Sequence, residues 1–292
     1  MNSPSFRRGV VNTYRTPAEV TSVARALRGA GRKIALVPTM GALHSGHAAL
    51  LQRAARLPNT VVAASIFVNP LQFGAGEDFE QYPRTLDDDL QALDDHGVEI
   101  AFTPSVPDLY ADDAAVTVQP GPLGEELEGA SRPGHFAGVL TVVAKLLNIL
   151  RPDYALFGEK DYQQLVLLRK MVRDLDLDTR IIGVPIVRES DGMALSSRNV
   201  YLSEQQREQA LGLSAALTAG ARAGPQGPEQ VLRQAERTLE ACPELEVDYL
   251  TLRDTALGPA PAAGEARLLV AAYLGGTRLL DNVGVWLGTE SE

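Results

Sequence analysis

Cysteine is nearly absent. Among 292 residues only Cys242 occurs, so an intramolecular disulfide is impossible and thiolate metal clusters are excluded. Its context, "ACPELE", offers no basic neighbour that would activate a thiol, and it reads as an inert, half-buried residue. Positive charge is in deficit as well. Lys and Arg number 27 against 37 Asp and Glu, giving a formal net charge of −10. That balance argues against a surface built to neutralise the backbone of a long nucleic acid, while leaving room for a small anion in a local basic pocket. No apolar run approaches the ~18 residues of a membrane span, and "MNSPSFRRGVVNTYRTP" has no apolar signal core. The expectation is a soluble, cytoplasmic protein with neither nucleic acid nor membrane as a partner.

What is plentiful is apolar sequence. With 45% hydrophobic residues, a chain of this length can bury roughly 75% of its unfolded surface, as one large domain or two unequal ones. The first two-thirds alternates short apolar runs with amphipathic helical patterns, which predicts a parallel sheet covered by helices. "KIALVPT", "TVVAASIFVN", "VEIAFTP", "PDYALFGE" and "RIIGVPIV" read as strands, apolar enough to be buried on both faces. Between them, helical stripes run through Leu50, Ala54 and Leu57, through Leu86, Leu90 and Leu93, and through Phe136, Val139, Val143, Leu147 and Leu150. A further helix follows Asp161, with Leu165, Leu168 and Val172 inward. Thr85 is a candidate N-cap for the second helix.

Near residue 187 the pattern changes. "SEQQ" at Ser203–Gln206 is a capping-box signature, "PEQVLRQAERTLEA" is a second helix, and Gly275-Gly276 reads as a hairpin turn between two strands. The predicted fold class is therefore α/β, a doubly wound, Rossmann-like parallel sheet over residues 1–187, with a second, smaller α+β C-terminal domain over 188–292.

Histidine is scarce too, yet two of the four stand three positions apart in "VPTMGALHSGH". A strand ends ahead of them and a helix begins near Gly46, so His44 and His47 fall where helix N–H groups and the helix dipole favour an anion. Imidazoles there can donate to phosphate oxygens. A metal reading is weaker, since His96 and His135 stand in no metal-like spacing. A second cluster, "FGEKDYQQ", repeats the strand-to-helix setting and supplies Lys160 as a point charge, Asp161 as a cap or ribose acceptor, and Gln163 and Gln164 in the first turn. A third, "VRESDGMALSSRN", gathers Ser196, Ser197 and Arg198 into a compact donor set. Ligands of doubly wound sheets bind at the carboxyl ends of the strands, so the three clusters could converge on one nucleotide.

"PTMGALHSGH", "SIFVNPLQFGAGEDFEQYPRT", "LEGASRPGHFAGVLTVVAKLLNI", "FGEKDYQQL", "PIVRESDGMALSSRNVYL" and "TRLLDNV" together resemble the pantothenate synthetase family. The match runs nearly without a gap from about residue 37 to 202. The resemblance implies an ATP-dependent ligation of pantoate with β-alanine through a pantoyl adenylate, releasing AMP and pyrophosphate, with Mg2+ as cofactor and a homodimer as the assembly. It assigns ATP to Met40, Gly41, Ala42, Leu43, His44, Ser45, Gly46 and His47, to Gly158, Glu159, Lys160 and Asp161, to Val187, and to Leu195, Ser196, Ser197 and Arg198. His47 would be a proton donor, and His44, Lys160, Ser196, Ser197 and Arg198 would serve catalysis beside it. Gln72 and Gln164 would bind pantoate, with Gln72 also near β-alanine. Separately, the two-domain layout suggests that the C-terminal domain closes over ATP as a lid and carries Ser196–Arg198 with it. Two departures stand out. Ser45 occupies a position where many relatives carry Glu, and its hydroxyl could cap the helix instead. Asp88 and Asp89 match Mg2+ ligands described for some relatives, but the third position is Ala92.

Overall fold

The computed structural model describes residues 5–74, 77 and 79–288. It divides into two compact units, one comprising the chain to Glu159 plus Leu167–Val184, the other Lys160–Val166 plus the chain from Pro185 onward.

The first unit contains β1 (Asn12–Tyr14), α1 (Pro17–Gly29), β2 (Lys33–Thr39), α2 (Ser45–Ala55), β3 (Thr60–Ile66), α3 (Leu86–Asp95) and β4 (Ile100–Phe102). The one-turn helices α4 (Val106–Leu109) and α5 (Glu128–Ser131) precede α6 (His135–Leu150) and β5 (Tyr154–Gly158). Most of α7 (Tyr162–Asp174) and β6 (Arg180–Val184) complete it. The strands pair in parallel in the order β1-β4-β3-β2-β5-β6. Strand order therefore runs one way from β2 through β3 to β4 and reverses at β5, and the carboxyl ends of β2 and β5 flank the reversal.

Both faces of this sheet are covered, as the apolar runs predict. Ala35 and Val37 pack with Leu50, Leu51 and Ala54 of α2 and with Leu93 of α3. Ile34 and Leu36 alternate to the other face and are equally buried, where α1 packs on α6 and β2. The α6 stripe of Phe136, Val139, Val143, Leu147 and Leu150 is buried throughout. In α3 the inward stripe is shorter than expected: Leu93 is buried and Leu90 half-buried, but Leu86 is exposed at the helix start. Thr85 does not cap that helix with its side chain; its hydroxyl donates to Asp89 instead.

The second unit holds α8 (Glu204–Arg222), α9 (Pro228–Leu239), β7 (Glu246–Asp254), β8 (Gly264–Leu274) and β9 (Thr277–Leu287). Its antiparallel sheet runs β7-β8-β9, with Gly275-Gly276 turning the hairpin between Leu274 and Thr277. Ser203 and Gln206 form the capping box that opens α8. Leu213, Ala216, Leu217 and Val231 of the two helices bury against Leu268, Val270 and Ala272 of β8. Cys242 is half-buried beside them.

Candidate functional site

The "TMGALHSGH" segment leaves β2 as a turn and enters α2. Gly41 and Ala42 take positive φ values of 85° and 50° in succession, and the Ala42 and Leu43 N–H groups of this turn both point to the Asp89 carboxylate. His44 is then the N-cap of α2. Its Nδ1 accepts from the Gly46 N–H at 3.0 Å, and the Nδ1 of His47 accepts from the His44 N–H at 3.2 Å. Two imidazoles thus take the parts usually played by Ser and Glu in a capping box. The cap explains the spacing: a Cβ on residue 46 would lie 2.7 Å from the His44 Cε1, so the ring can fold over that position only if it is glycine. Ser45, expected as an alternative cap, is the exposed first residue of the helix, because the His44 ring already holds the acceptor position.

This geometry also fixes protons. A ring nitrogen that accepts carries no hydrogen, so each neutral imidazole has its proton on Nε2. The rings lie 4.2 Å apart, tilted by 48°. The pair presents neutral Nε2–H donors beside the helix amino terminus, where the dipole adds partial positive charge.

Gln72 is held in the same unit by groups far away in sequence. It ends the short 3-10 turn Pro70–Gln72, whose N-cap is the buried Asn69. Asn69 donates to the Gln72 Oε1 at 3.1 Å and to the Gly138 carbonyl at 3.2 Å, and accepts from the Tyr110 hydroxyl at 2.9 Å. Burial pushes the Tyr110 phenol up to about 12, keeping it a donor. The Gln72 Nε2 donates to the Met40 sulfur at 3.1 Å, bringing two predicted site residues together. The Gln72 carbonyl accepts from His135 Nδ1 at 2.8 Å and from Arg132 at 3.4 Å. Arg132 also forms a forked pair with Glu77 at 2.6 and 2.8 Å and donates to His135 Nε2 at 3.1 Å. Since the carbonyl can only accept and the guanidinium only donate, His135 carries its proton on Nδ1. The guanidinium holds the Glu77 carboxyl below the usual glutamate range.

Asp88 and Asp89 separate on α3. Asp88 is exposed. Asp89 is buried, with its carboxylate accepting from the Ala42 and Leu43 N–H groups and the Thr85 hydroxyl. Among the described residues no group of three or more His, Cys, Asp or Glu is arranged to hold a metal. Gly158 ends β5 next to the β2 strand, and Glu159 opens a 3-10 turn.

In the second unit, Lys160 and Asp161 lie in that turn ahead of α7, with Gln164 half-buried in the first helical turn. The Lys160 carbonyl accepts from Asn282 at 2.9 Å, and the Asn282 amide oxygen accepts from Arg267, whose guanidinium lies 4.2 Å over the Tyr162 ring. Val187 opens a small hairpin, its carbonyl accepting from the Leu195 N–H. The next residue, Arg188, pairs through two hydrogen bonds of 2.6 and 2.9 Å with the buried Asp281. Arg207 grips Glu189 and Asp191 across the hairpin and holds the Glu189 carboxyl low; Asp191 is held low by the Met193 N–H and then by Arg207. Ser196 caps the 3-10 turn Ser197–Tyr201 by accepting from the Arg198 N–H at 3.2 Å. Adjacent Asp281 and Asn282 of β9 thereby tie both predicted clusters of this unit to one strand.

Asn69, Tyr110, Arg132, His135, Asp281 and Asn282 received no role from sequence reasoning. For all but Tyr110 the available signal was that "FVNPLQ", "SRPGH" and "LLDNV" lie within the segments that carry the family resemblance; Tyr110 lies outside them.

The pantoate-beta-alanine ligase family model matches residues 12–284. A pantothenate synthetase of Mycobacterium sp. (strain KMS) is 64% identical over 283 residues, covering 97% of this chain and 90% of that protein. One from Saccharopolyspora erythraea is 62% identical over 289 residues, covering 99% and 96%. Among solved structures, pantothenate synthetase from Thermus thermophilus superposes with a TM-score of 0.87 at 46% identity, over 94% of this chain and 100% of that one. The pantoate-beta-alanine ligase of Francisella tularensis complexed with beta-gamma ATP and beta-alanine gives 0.77 at 35% identity, over 94% and 97%.

Proposed function

This chain belongs to the pantoate-β-alanine ligase family and is an ATP-using enzyme that joins pantoate to β-alanine to give pantothenate; from that premise we propose that it works through a pantoyl adenylate. A pantoate carboxylate oxygen attacks the α-phosphorus of ATP, the bond to the β-phosphate oxygen breaks, and pyrophosphate leaves. The β-alanine amine then attacks the acyl carbon, the bond to the phosphate oxygen breaks, and AMP leaves as the amine gives up a proton. The second step needs no nucleophile from the protein, in keeping with a chain whose one cysteine has no activating neighbour.

The observation that carries this reading is the two-histidine cap at the carboxyl end of β2, beside the reversal of strand order. Neutral Nε2–H donors at a helix amino terminus suit the charge that develops on phosphate oxygens during adenylation. To act as the proton donor, His47 would first take up a second proton on Nδ1, releasing the His44 N–H, and pass one proton from the imidazolium to the departing pyrophosphate. Met40–His47, Gly158, Glu159, Lys160, Asp161, Val187 and Leu195–Arg198 are assigned to ATP. Lys160, Ser196, Ser197 and Arg198 are the phosphate donors among them. Gln72 and Gln164 are assigned to pantoate, because a primary amide both donates to and accepts from a small hydroxy acid.

Asp88 and Asp89 do not make a protein-held Mg2+ site: Asp88 is exposed while Asp89 is buried against the Ala42 and Leu43 N–H groups and Thr85, and among the described residues no third ligand joins them. Mg2+ is accordingly proposed as part of the Mg-ATP substrate. Among the described residues no helix is long and apolar enough to cross a membrane. A cytoplasmic homodimer is proposed on the family resemblance, with sedimentation velocity as its check.

Incubation with pantoate, β-alanine and Mg-ATP is expected to yield AMP and pyrophosphate in equal amounts with pantothenate. With β-alanine withheld, one pyrophosphate per active site should still appear. Formation of ADP and phosphate would instead establish an acyl phosphate and overturn the adenylate.

A further inference from the structure

The least expected geometry in the first unit is that of Asp89. It lies in the first turn of α3, 3% exposed. Its Oδ1 accepts from the Leu43 N–H at 2.8 Å and its Oδ2 from the Ala42 N–H at 3.1 Å, across 46 and 47 residues of sequence. The Thr85 hydroxyl donates to Oδ2 at 3.2 Å. The backbone comes so close that a Cβ on Gly41 would sit 2.8 Å from the same oxygen.

These features belong together. Successive N–H groups of a turn, here those of Ala42 and Leu43, make a concave nest that attracts an anion, and Ala42 adopts its positive φ at a cost its side chain would ordinarily avoid. A buried carboxylate supplies the anion, so the nest is filled from within the protein. The filled nest lies immediately between Met40, which receives the Gln72 amide, and His44, which caps α2.

We propose that Asp89 is a positioning residue that clamps the Gly41–Leu43 turn, so that Met40 and the His44–His47 cap are presented in register, and that it is not a magnesium ligand. The proposal rests on the assignment of this turn to ATP. Three donors occupy three of the carboxylate's roughly four lone-pair positions, and at 3% exposure the group leaves no space for the waters that Mg2+ normally keeps.

The test is amide hydrogen exchange combined with metal and nucleotide titrations. In the wild-type protein the Ala42 and Leu43 amides, although outside any helix or strand, should be strongly protected; rapid exchange there would overturn the clamp without need of any variant. Asp89→Asn keeps the size but places an amide donor against an N–H. It is expected to speed exchange of these two amides and to weaken ATP binding about tenfold to a hundredfold, the effect of losing one or two buried hydrogen bonds. The Mg2+ concentration giving half-maximal activity should stay within a factor of two or so of wild type, since the clamp touches no metal. Thr85→Val, which removes the third donor, should act in the same direction more weakly, and it provides a folded variant if Asp89→Asn does not fold. The exposed Asp87→Asn serves as the control and should match wild type.

A large shift of the Mg2+ half-saturation in Asp89→Asn, with both amides still protected, would overturn the proposal in favour of ligation. Loosened amides with unaltered ATP binding would leave the clamp standing and refute the assignment of the turn to ATP.

Discussion

At the scale of single residues, each imidazole nitrogen of the cap has a separate task, and amide side chains can separate them. The Oδ1 of Asn can stand in for Nδ1 as the cap acceptor but leaves no donor at the Nε2 position, whereas the longer Gln can accept through Oε1, as Gln206 does at the start of α8, and still carry an Nε2 donor further out. His47→Asn should therefore keep the stability of α2 while adenylation falls about 10²- to 10³-fold, the effect of losing one preorganised donor. His47→Gln should also keep the stability of α2, to within about 0.5 kcal/mol, and should retain more activity than His47→Asn. Pyrophosphate release and thermal melts measured on both variants decide this; equal release would mean that the two nitrogens are not divided as described. Gly46→Ala should lower adenylation about 10²-fold through the His44 ring, because an added Cβ 2.7 Å from Cε1 forces the donor out of place.

At the scale of elements, the 3-10 turn carrying Gln72 is steadied by α6 and by the ion pair of Arg132 with Glu77. Arg132→Lys keeps the charge but not the fork, so it should raise KM for pantoate several-fold with kcat nearly unchanged. The Glu77 carboxyl lies below its ordinary value when folded, chiefly through its hydrogen bonds with Arg132. A depressed carboxylate stabilises the fold above its unfolded value, near 4.3, and that contribution disappears as pH falls through the folded value. Glu77→Gln should thus be less stable than wild type at pH 7, by no more than about 1 kcal/mol for a pair that is about a quarter exposed. The gap should close in melts as pH is taken down from the unfolded value through the lower folded one; a gap that persists in acid would assign the loss to packing. The elements themselves were largely legible in sequence wherever apolarity was continuous, as in β2, β3, β5 and β6. The three-residue β1 and the α1 helix escaped notice, although Thr16 and Glu19 form a capping box around Pro17. Legibility of the site followed the same logic. Strand-end loops announce themselves through local residue types, but the Asp89 clamp, the His135–Gln72 contact and the Asn282–Lys160 bond each join positions at least 46 residues apart, which no local pattern encodes.

At the scale of the whole molecule, the chain passes from the first unit to the second at residue 160, returns at 167 and leaves again at 185. Lys160–Val166 is thus a short visit that the second unit secures through Asn282 on the Lys160 carbonyl and Arg267 over the Tyr162 ring. Asn282→Ala deprives the Lys160 carbonyl of its donor and Arg267 of an acceptor. It should cost about 1–3 kcal/mol, or several degrees of thermal midpoint, and should lower kcat more than KM for pantoate. An unaltered kcat would show that the lysine keeps its place without β9. The same bond sets an order in time. Asn282 follows Lys160 by 122 residues, so at about 5–20 residues per second a ribosome delivers it roughly 6–24 s later. The parallel sheet can be complete by Val184, yet a nascent chain cannot acquire its full phosphate-handling apparatus until almost its last strand has emerged. Messages truncated between codons 184 and 282 should therefore yield the sheet without ligase activity, which an assay of pyrophosphate release on the purified fragments checks.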